Sequence, residues 1–364
     1  SYNVSVGDSA MSSSSLTSRN VAVGFEALYN CTQGSLTDTY NVAIGYTAGK
    51  AITSGQYNVL LGSSTGEALT TGMYNVAIGH AALNAEDGNG RNVAIGYHAL
   101  LAQNAGVEAY NVAIGYQAGL AITSGTNNVT IGGLAGDAVT TGNHNIAIGR
   151  DALSTEDAHG YNVAIGGYAL QDQDAGSDAY NIAIGHNAGK EVTTGNYNTL
   201  IGGSAGDALT TGARNIAIGN HALSTEDAHG KNVAIGYEAL KTQDAGADAR
   251  NVAIGYEAGH DVTTGIKNVL IGNSAGEKVT EGQYNTLLGA NAGDALTTGD
   301  NNIIIGYDAA ASAVGVDNEI TLGDANISAF RCADQSIAAL SDGRDKSEVE
   351  ESPYGLEFIN KLKP

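Results

Sequence analysis

The sequence has few of the residues from which compact globular cores are built. Of its 364 residues none is Trp, 3 are Phe, 2 are Met and 2 are Pro, whereas 51 are Gly. A globular domain of this length would be expected to bury more large aromatic side chains. We therefore expect a narrow core of Val, Ile, Leu and Ala instead of two or three globular domains.

Basic residues are also scarce. Lys and Arg total 16 against 38 Asp and Glu, which gives a net charge of −22. Nucleic-acid binding depends on a cationic surface that releases counterions, so we expect no nucleic acid among the partners. The sequence has no run of about eighteen apolar residues, so we expect no membrane insertion.

Cysteine is nearly absent. Cys31 and Cys332 lie far apart and do not have the spacing of metal ligands. We expect both to be small apolar fillers, with neither a disulfide nor a metal role.

The chain consists mainly of one short repeat. Each unit opens with Asn, then Val, Ile or Thr, then a variable residue, Ile or Leu, and Gly. The opening Asn residues of the central array are Asn41, Asn58, Asn75, Asn92, Asn111, Asn128, Asn145, Asn162, Asn181, Asn198, Asn215, Asn232, Asn251, Asn268, Asn285 and Asn302. Asn3 and Asn20 extend the array at the front, and "NEITLG" at Asn318 ends it.

The spacing of these Asn residues is regular. Each unit is about 17 residues long, and every fourth step, as from Asn92 to Asn111, is slightly longer. The pattern of steps therefore recurs every ~70 residues, from Asn41 to Asn111 and again to Asn181, which indicates a solenoid.

The start of each unit predicts a short β-strand. Apolar residues alternate at the second and fourth places, and we expect these two residues to face the core. Their β-branched side chains favour this assignment. The closing Gly, as at Gly45, Gly62 and Gly79, predicts a turn with positive φ or tight packing. We expect no helix in the array.

One core position is filled from either of two places in the unit. Some units have Ala-Gly at places eight and nine and an apolar residue at place twelve, namely Ile52, Leu69, Ile122, Val139, Val192, Leu209, Val262, Val279 and Leu296. Others have Leu at place nine and a polar residue at place twelve. Their Leu residues are Leu83, Leu100, Leu153, Leu170, Leu223 and Leu240, and their polar residues are Glu86, Gln103, Glu156, Gln173, Glu226 and Gln243. This compensation indicates that the coils stack in register.

Coils of about 17 residues enclose few side chains, and small cores generally need additional stabilisation, for example by oligomerisation. We therefore expect a homotrimer of three parallel rolls. The 19 coils, at ~4.8 Å each, predict a rod on the order of 90 Å long.

The strings "NVAIGYTA", "NVAIGYHA" and "NIAIGHNA" resemble the head repeats of trimeric autotransporter adhesins. Similar repeats occur in bacteriophage tail fibres. The resemblance covers residues 1–323 and implies a homotrimeric, all-β, left-handed parallel β-roll, that is, a β-solenoid. The units here are longer than the usual repeat of that family, so its turn geometry is not carried over.

The C-terminal part leaves the repeat. "LSDGRDK" followed by "YGLEFINKLKP" resembles the start of the S74-type intramolecular chaperone of phage tail fibres. The resemblance implies a Ser341–Lys346 pair, supported by Asp342, that cleaves the Leu340–Ser341 bond. A serine hydroxyl needs a base, and lysine acts as one only when neutral. We predict a connector at 324–340 and a remnant of the chaperone at 341–364, too short to be active. Because the sequence opens mid-repeat, we expect it to be part of a longer chain.

Two functions fit these observations. The first is a phage tail fibre in the virion, either shaft or receptor-binding segment, that attaches to a host cell-surface glycan or protein and contacts other tail or fibre proteins. The second is a bacterial trimeric adhesin or extracellular filament. A glycan-processing enzyme is a third hypothesis, but no pair of carboxylates stands out from the repeat.

Several columns of recurring side chains allow both a structural and a functional interpretation. Thr70, Thr140, Thr210 and Thr297 fit turn capping or an ice-binding array. The Asn column fits a hydrogen-bonded ladder, a turn cap or a ligand site. The tyrosines before Asn fit cover for the roll's edges or trimer seam, or a sugar-stacking surface, and comprise Tyr40, Tyr57, Tyr74, Tyr110, Tyr161, Tyr180, Tyr197 and Tyr284.

The acidic turns "STEDAHG" at Ser154 and Ser224 fit solvated turns or a site for Ca²⁺ or another metal. The candidate ligands are Asp157, His159, Asp227 and His229. Neither loop carries a full ligand set, and we expect no cofactor.

Overall fold

The computed structural model describes residues 2–329 and 331, which form 21 short strands and no α-helix. One compact unit spans Ser1–Ala325. The strands are β1 (Val4–Val6), β2 (Ser15–Ser18), β3 (Val21–Val23), β4 (Thr32–Asp38), β5 (Val42–Ile44), β6 (Val59–Leu61), β7 (Val76–Ile78), β8 (Val93–Ile95), β9 (Val112–Ile114), β10 (Val129–Ile131), β11 (Ile146–Ile148), β12 (Val163–Ile165), β13 (Ile182–Ile184), β14 (Thr199–Ile201), β15 (Ile216–Ile218), β16 (Val233–Ile235), β17 (Val252–Ile254), β18 (Val269–Ile271), β19 (Thr286–Leu288), β20 (Ile303–Ile305) and β21 (Ile320–Leu322).

Nineteen of these strands form one parallel sheet in which each coil contributes a single three-residue strand. Neighbouring coils pair in register, for example Val42 with Val59 and Ile44 with Leu61. The predicted parallel β-solenoid is thereby confirmed. The left-handed coil, the trimer and the domain boundaries at 323 and 340 stay predictions.

The two ends of the array differ from its centre. Near the front, the step from Val21 to Val42 is longer than the others, and β2 pairs with β4 in a separate two-stranded sheet with an irregular register. At the other end Ile303 pairs with Ile320, so Glu319, not Asn318, occupies the Asn position of the last unit. The prediction that Asn318 opens this unit is therefore wrong by one residue. The Glu319 N–H donates to Asn302 Oδ1 at 2.8 Å, as an Asn N–H would.

The predicted orientation of the strands is also wrong for the single chain. The variable third residue faces the core, and Ala43 and Leu60 are completely buried. The residues at places two and four point outward, and Ile44 is 41% exposed. The reason is steric, because a coil this thin leaves room at the inward place of the strand only for Ala, Thr, one Leu or, at Ile304, one Ile.

The predicted core compensation is confirmed. All nine apolar residues at place twelve and all six Leu residues at place nine are fully buried. The polar residues at place twelve of the second unit type are fully buried too, which their polar character did not predict. Cys31 is buried, as expected for a filler, and burial raises the pKa of its thiol. Cys332 lies outside the described residues.

The buried Asn column forms a continuous hydrogen-bonded ladder. From Asn20 to Asn302 each Asn N–H donates to Oδ1 of the Asn one coil earlier, at 2.8–3.1 Å. In many coils the side-chain amide also donates to a turn carbonyl, as Asn58 Nδ2 does to Gly72 O at 2.9 Å. The ladder and turn-cap interpretations are both confirmed. The column thus fixes the register between coils.

Candidate functional site

The residues predicted for autocleavage, Ser341, Asp342 and Lys346, lie outside the described residues. Their role stays a prediction. The described residues offer three features to consider: the outward face of the sheet, the columns of rings, and the acidic turns.

The outward face of the 19-stranded sheet carries two parallel columns of Val, Ile, Leu and occasional Thr. No residue at places two or four from β5 to β20 is buried in the single chain. Nine of them are 36–43% exposed, namely Ile44, Ile114, Ile182, Ile184, Ile216, Ile254, Leu288, Ile303 and Ile305. A continuous apolar strip of this kind is typical of a protein–protein interface.

The tyrosines before the Asn residues line one edge of the sheet with 42–52% exposure. Tyr57 lies with parallel rings between Tyr40 and Tyr74, at centroid distances of 5.3 and 5.1 Å. Where a coil has Arg instead, as at Arg91, the guanidinium lies 5.4 and 5.5 Å from the rings of Tyr74 and Tyr110. The neighbours cover the ring faces on which a sugar would stack, so the geometry favours the structural interpretation of this column.

A second column of rings, which was not predicted from the sequence, follows the strands at place six. Phe25 stacks on Tyr46 at 5.3 Å, and Tyr97 stacks on Tyr116 at 5.4 Å. Its signal in the sequence is the aromatic residue directly after the closing Gly of several units.

The hydroxyls of the Thr column form hydrogen bonds with the turns of the next coil. The hydroxyls of Thr70, Thr140 and Thr210 donate to the carbonyls of Asp87, Asp157 and Asp227 at 2.7, 2.6 and 2.9 Å. The hydroxyl of Thr297 donates to Val314 O at 3.0 Å. These bonds to the next coil confirm the turn-capping interpretation.

The two "STEDAHG" turns bring together the residues named from the sequence and add two more to each set. One cluster consists of Glu156, Asp157, His159 and Asp174, and the other of Glu226, Asp227, His229 and Asp244. In each cluster every residue offers one ligand atom, and these atoms lie within 4.8 Å of one another. Asp174 lies one coil after Asp157, and this separation by a single coil is the signal that would have found it.

The Glu residue of each cluster is buried in the solenoid. Burial raises the pKa of Glu226 to about 7, the N–H of His229 opposes the shift, and the nearby Asp244 carboxylate adds to it. Burial likewise raises the pKa values of Glu156 and Glu86. A low-dielectric position of this kind strengthens any interaction of the carboxylate with a cation.

Comparison with the profiles of known protein families gives no match, and comparison with curated protein sequences gives none either. Among the described residues, no helix has the length and apolar character needed to cross a membrane.

Proposed function

We propose that this chain is the β-solenoid segment of a homotrimeric extracellular fibre, specifically a bacteriophage tail fibre that reaches and attaches to the host cell surface. The observation that carries the proposal is the apolar strip on the outward face of the 19-stranded sheet. A fibre must be long and thin. Stacking the three-residue strands at a spacing of ~4.8 Å gives a thin solenoid about 90 Å long.

The strip favours association of identical chains. It runs the whole length of the array, and it has Val, Ile or Leu at the same two places of every coil except at Thr199 and Thr286. Two further copies of the chain have the same coil spacing, so they can contact this strip along its full length. Such repeated contacts between identical surfaces are what a symmetric homo-oligomer requires. The interface is apolar, as permanent interfaces are.

The test is the oligomeric state of the full 364-residue chain by size-exclusion chromatography with light scattering. We expect a mass three times that of one chain. Ile114 and Ile184 occupy equivalent places in their coils and are 36% and 37% exposed. The variant Ile114→Lys/Ile184→Lys should lower the trimer fraction, because it buries unpaired charge at the interface.

The matched control is Ser124→Lys/Thr194→Lys, which places the same charges on exposed turns of the same two coils. We expect it to leave the trimer intact. A monodisperse folded monomer of the unmodified chain would refute the trimer, and equal effects of the two variants would refute the assignment of the interface.

The C-terminal chaperone belongs to the same proposal, and the resemblance of "SDGRDK" supports it. In a gene product that continues through a complete chaperone domain, cleavage before Ser341 would release the assembled fibre. Ser341→Ala should leave that product uncleaved in intact-mass spectrometry, because the nucleophile is removed. A product that still ends at Leu340 would contradict the role of Ser341.

A further inference from the structure

The clusters at the two "STEDAHG" turns contain polar atoms that the protein itself does not satisfy. Glu156 is fully buried, and its Oε1 accepts the N–H of His159 at 3.0 Å, whereas its Oε2 has no hydrogen-bond partner. His159 Nδ1 is also buried without a hydrogen bond, 3.5 Å from Glu156 Oε1. A buried polar atom without a partner costs free energy, so these atoms favour a ligand.

The second turn repeats this arrangement. Glu226 Oε1 accepts the N–H of His229 at 3.1 Å, and Glu226 Oε2 and His229 Nδ1 are again without a hydrogen bond. His229 Nδ1 lies 3.6 Å from Glu226 Oε1. The recurrence of one geometry in two separate turns shows that it follows from the local sequence.

The backbone around each cluster is held in place. The Asp157 carbonyl accepts the Thr140 hydroxyl at 2.6 Å, and the Gly160 N–H donates to Asp178 Oδ1 at 3.0 Å. Asp157 and Asp174 are exposed, so the cluster is open to solvent on that side. A fixed backbone with an open side is suitable for an ion that enters from water.

We propose that each cluster binds one divalent transition-metal ion of the Zn²⁺ type, through His159 Nδ1 and carboxylate oxygens of Glu156, Asp157 and Asp174, and through the equivalent atoms of the second turn. An imidazole nitrogen beside carboxylates suits Zn²⁺, whereas Ca²⁺ prefers oxygen alone. Zn²⁺ bonds of ~2.0–2.2 Å place tetrahedral ligand atoms roughly 3.4 Å apart, so ligand atoms within 4.8 Å need only small side-chain shifts.

The chain contains its own control. The equivalent turn earlier in the array reads "NAEDGNG" and keeps Glu86 and Asp87, but Asn89 and Asn104 replace the His and the second Asp. Glu86 is buried there in the same way, and its Oε1 accepts the N–H of Asn89 at 3.0 Å. Its Oε2 is also without a partner, so the buried carboxylate is common to all three turns. The imidazole and the additional carboxylate distinguish the two proposed sites, so we expect two ions per chain.

The experiment measures Zn²⁺ by plasma mass spectrometry on the full chain after chelator treatment, incubation with Zn²⁺ and desalting. Unmodified protein should retain two Zn²⁺ per chain. His159→Asn/Asp174→Asn, which copies the residues of the first turn, should retain one, with binding at the altered turn weakened roughly 100-fold or more. The reverse change, Asn89→His/Asn104→Asp, should raise the number to three.

Because the chain already folds with both residue sets, circular dichroism should show all variants folded. Co²⁺ in place of Zn²⁺ should give the visible absorption of a tetrahedral site in unmodified protein. No retained Zn²⁺, a count unaffected by the substitutions at His159 and Asp174, or displacement of Zn²⁺ by equimolar Ca²⁺ would each overturn the proposal.

Discussion

Two adjacent glycines provide a sharp test of how the coils stack. Gly132 follows β10 with φ of +133°, and a Cβ there would lie 2.5 Å from Gly149 O of the next coil. A Cβ on Gly133 would meet no atom within 4 Å. Gly132→Ala and Gly133→Ala therefore make the same chemical change with and without a clash.

The magnitude follows from two separate costs. Forcing a side chain into this region of φ costs about 1–3 kcal/mol. Relieving the contact with backbone atoms that the sheet holds at ~4.8 Å spacing costs about 1–3 kcal/mol more. We expect Gly132→Ala to lower local stability by about 2–6 kcal/mol and Gly133→Ala to change it by less than about 0.5 kcal/mol.

Hydrogen exchange followed by mass spectrometry is the appropriate assay, because stacked repeats can unfold in parts. Gly132→Ala should increase the exchange of amides in β10 and β11 at least roughly thirtyfold, as about 2 kcal/mol implies. The amide of Gly149, which donates to Ile131 O at 2.8 Å, should be among them. Equal exchange in the two variants would refute the account of glycine stacking.

Two further predictions concern buried polar groups. Burial raises the pKa of Glu86, so the folded state binds the carboxyl proton more tightly than the unfolded state does. The resulting stabilisation of the fold is complete below the pKa of the unfolded state and is lost as the pH rises through the pKa of the folded state. Glu86→Gln should therefore stabilise the chain more at pH 8 than at pH 4 in denaturant titrations, and an equal difference at both pH values would contradict this. Asn198→Ala removes two hydrogen bonds of 2.9 Å each, one that Asn198 Oδ1 accepts from the Asn215 N–H and one that Asn198 Nδ2 donates to Gly212 O. We expect this change to lower the free energy of unfolding by about 2–4 kcal/mol. The exposed Asn220→Ala is its control in the same titration, and an equal loss there would argue against the ladder.

The solenoid could be predicted because its determinants are local and repeated. The regular spacing of the opening Asn residues, the closing Gly and the exchange between Leu83 at place nine and Ile52 at place twelve are visible in the letters alone. Each indicates a coil that repeats in register, and the paired strands and buried side chains confirm it.

The side-chain clusters at the two "STEDAHG" turns were only half predictable. Asp157 and His159 share one turn, but Glu156 stood out in the sequence only as the polar residue at place twelve, and Asp174 belongs to the next coil. Residues one coil apart become neighbours only through stacking. Once the coil length is known, comparing positions one coil length apart would bring Asp174 beside Asp157.

The orientation of the strands could not be read from the alternation. A period-two pattern shows that the two faces of a strand differ, but it does not show which face is inside. The prediction from the sequence places the larger Val and Ile side chains on the inner face. The solenoid places Ala43 and Ala77 inside because its interior is narrow, and the larger side chains form the outward strip. Both faces of the strand are therefore apolar, as in parallel sheets covered on both sides.

This two-sided apolar strand predicts that folding and assembly are coupled. Fully burying one Val, Leu or Ile side chain contributes about 1.5–3 kcal/mol, so each of the nine outward residues that are 36–43% exposed offers about 0.5–1.3 kcal/mol. Their sum of about 5–12 kcal/mol per chain is comparable to the about 4–15 kcal/mol that association costs, before the other outward residues are counted. If the solenoid folds only as it assembles into the proposed trimer, the thermal midpoint of the full chain should rise with protein concentration. A midpoint independent of concentration over a hundredfold range would show that each solenoid is stable alone, with its Val and Ile strip in water.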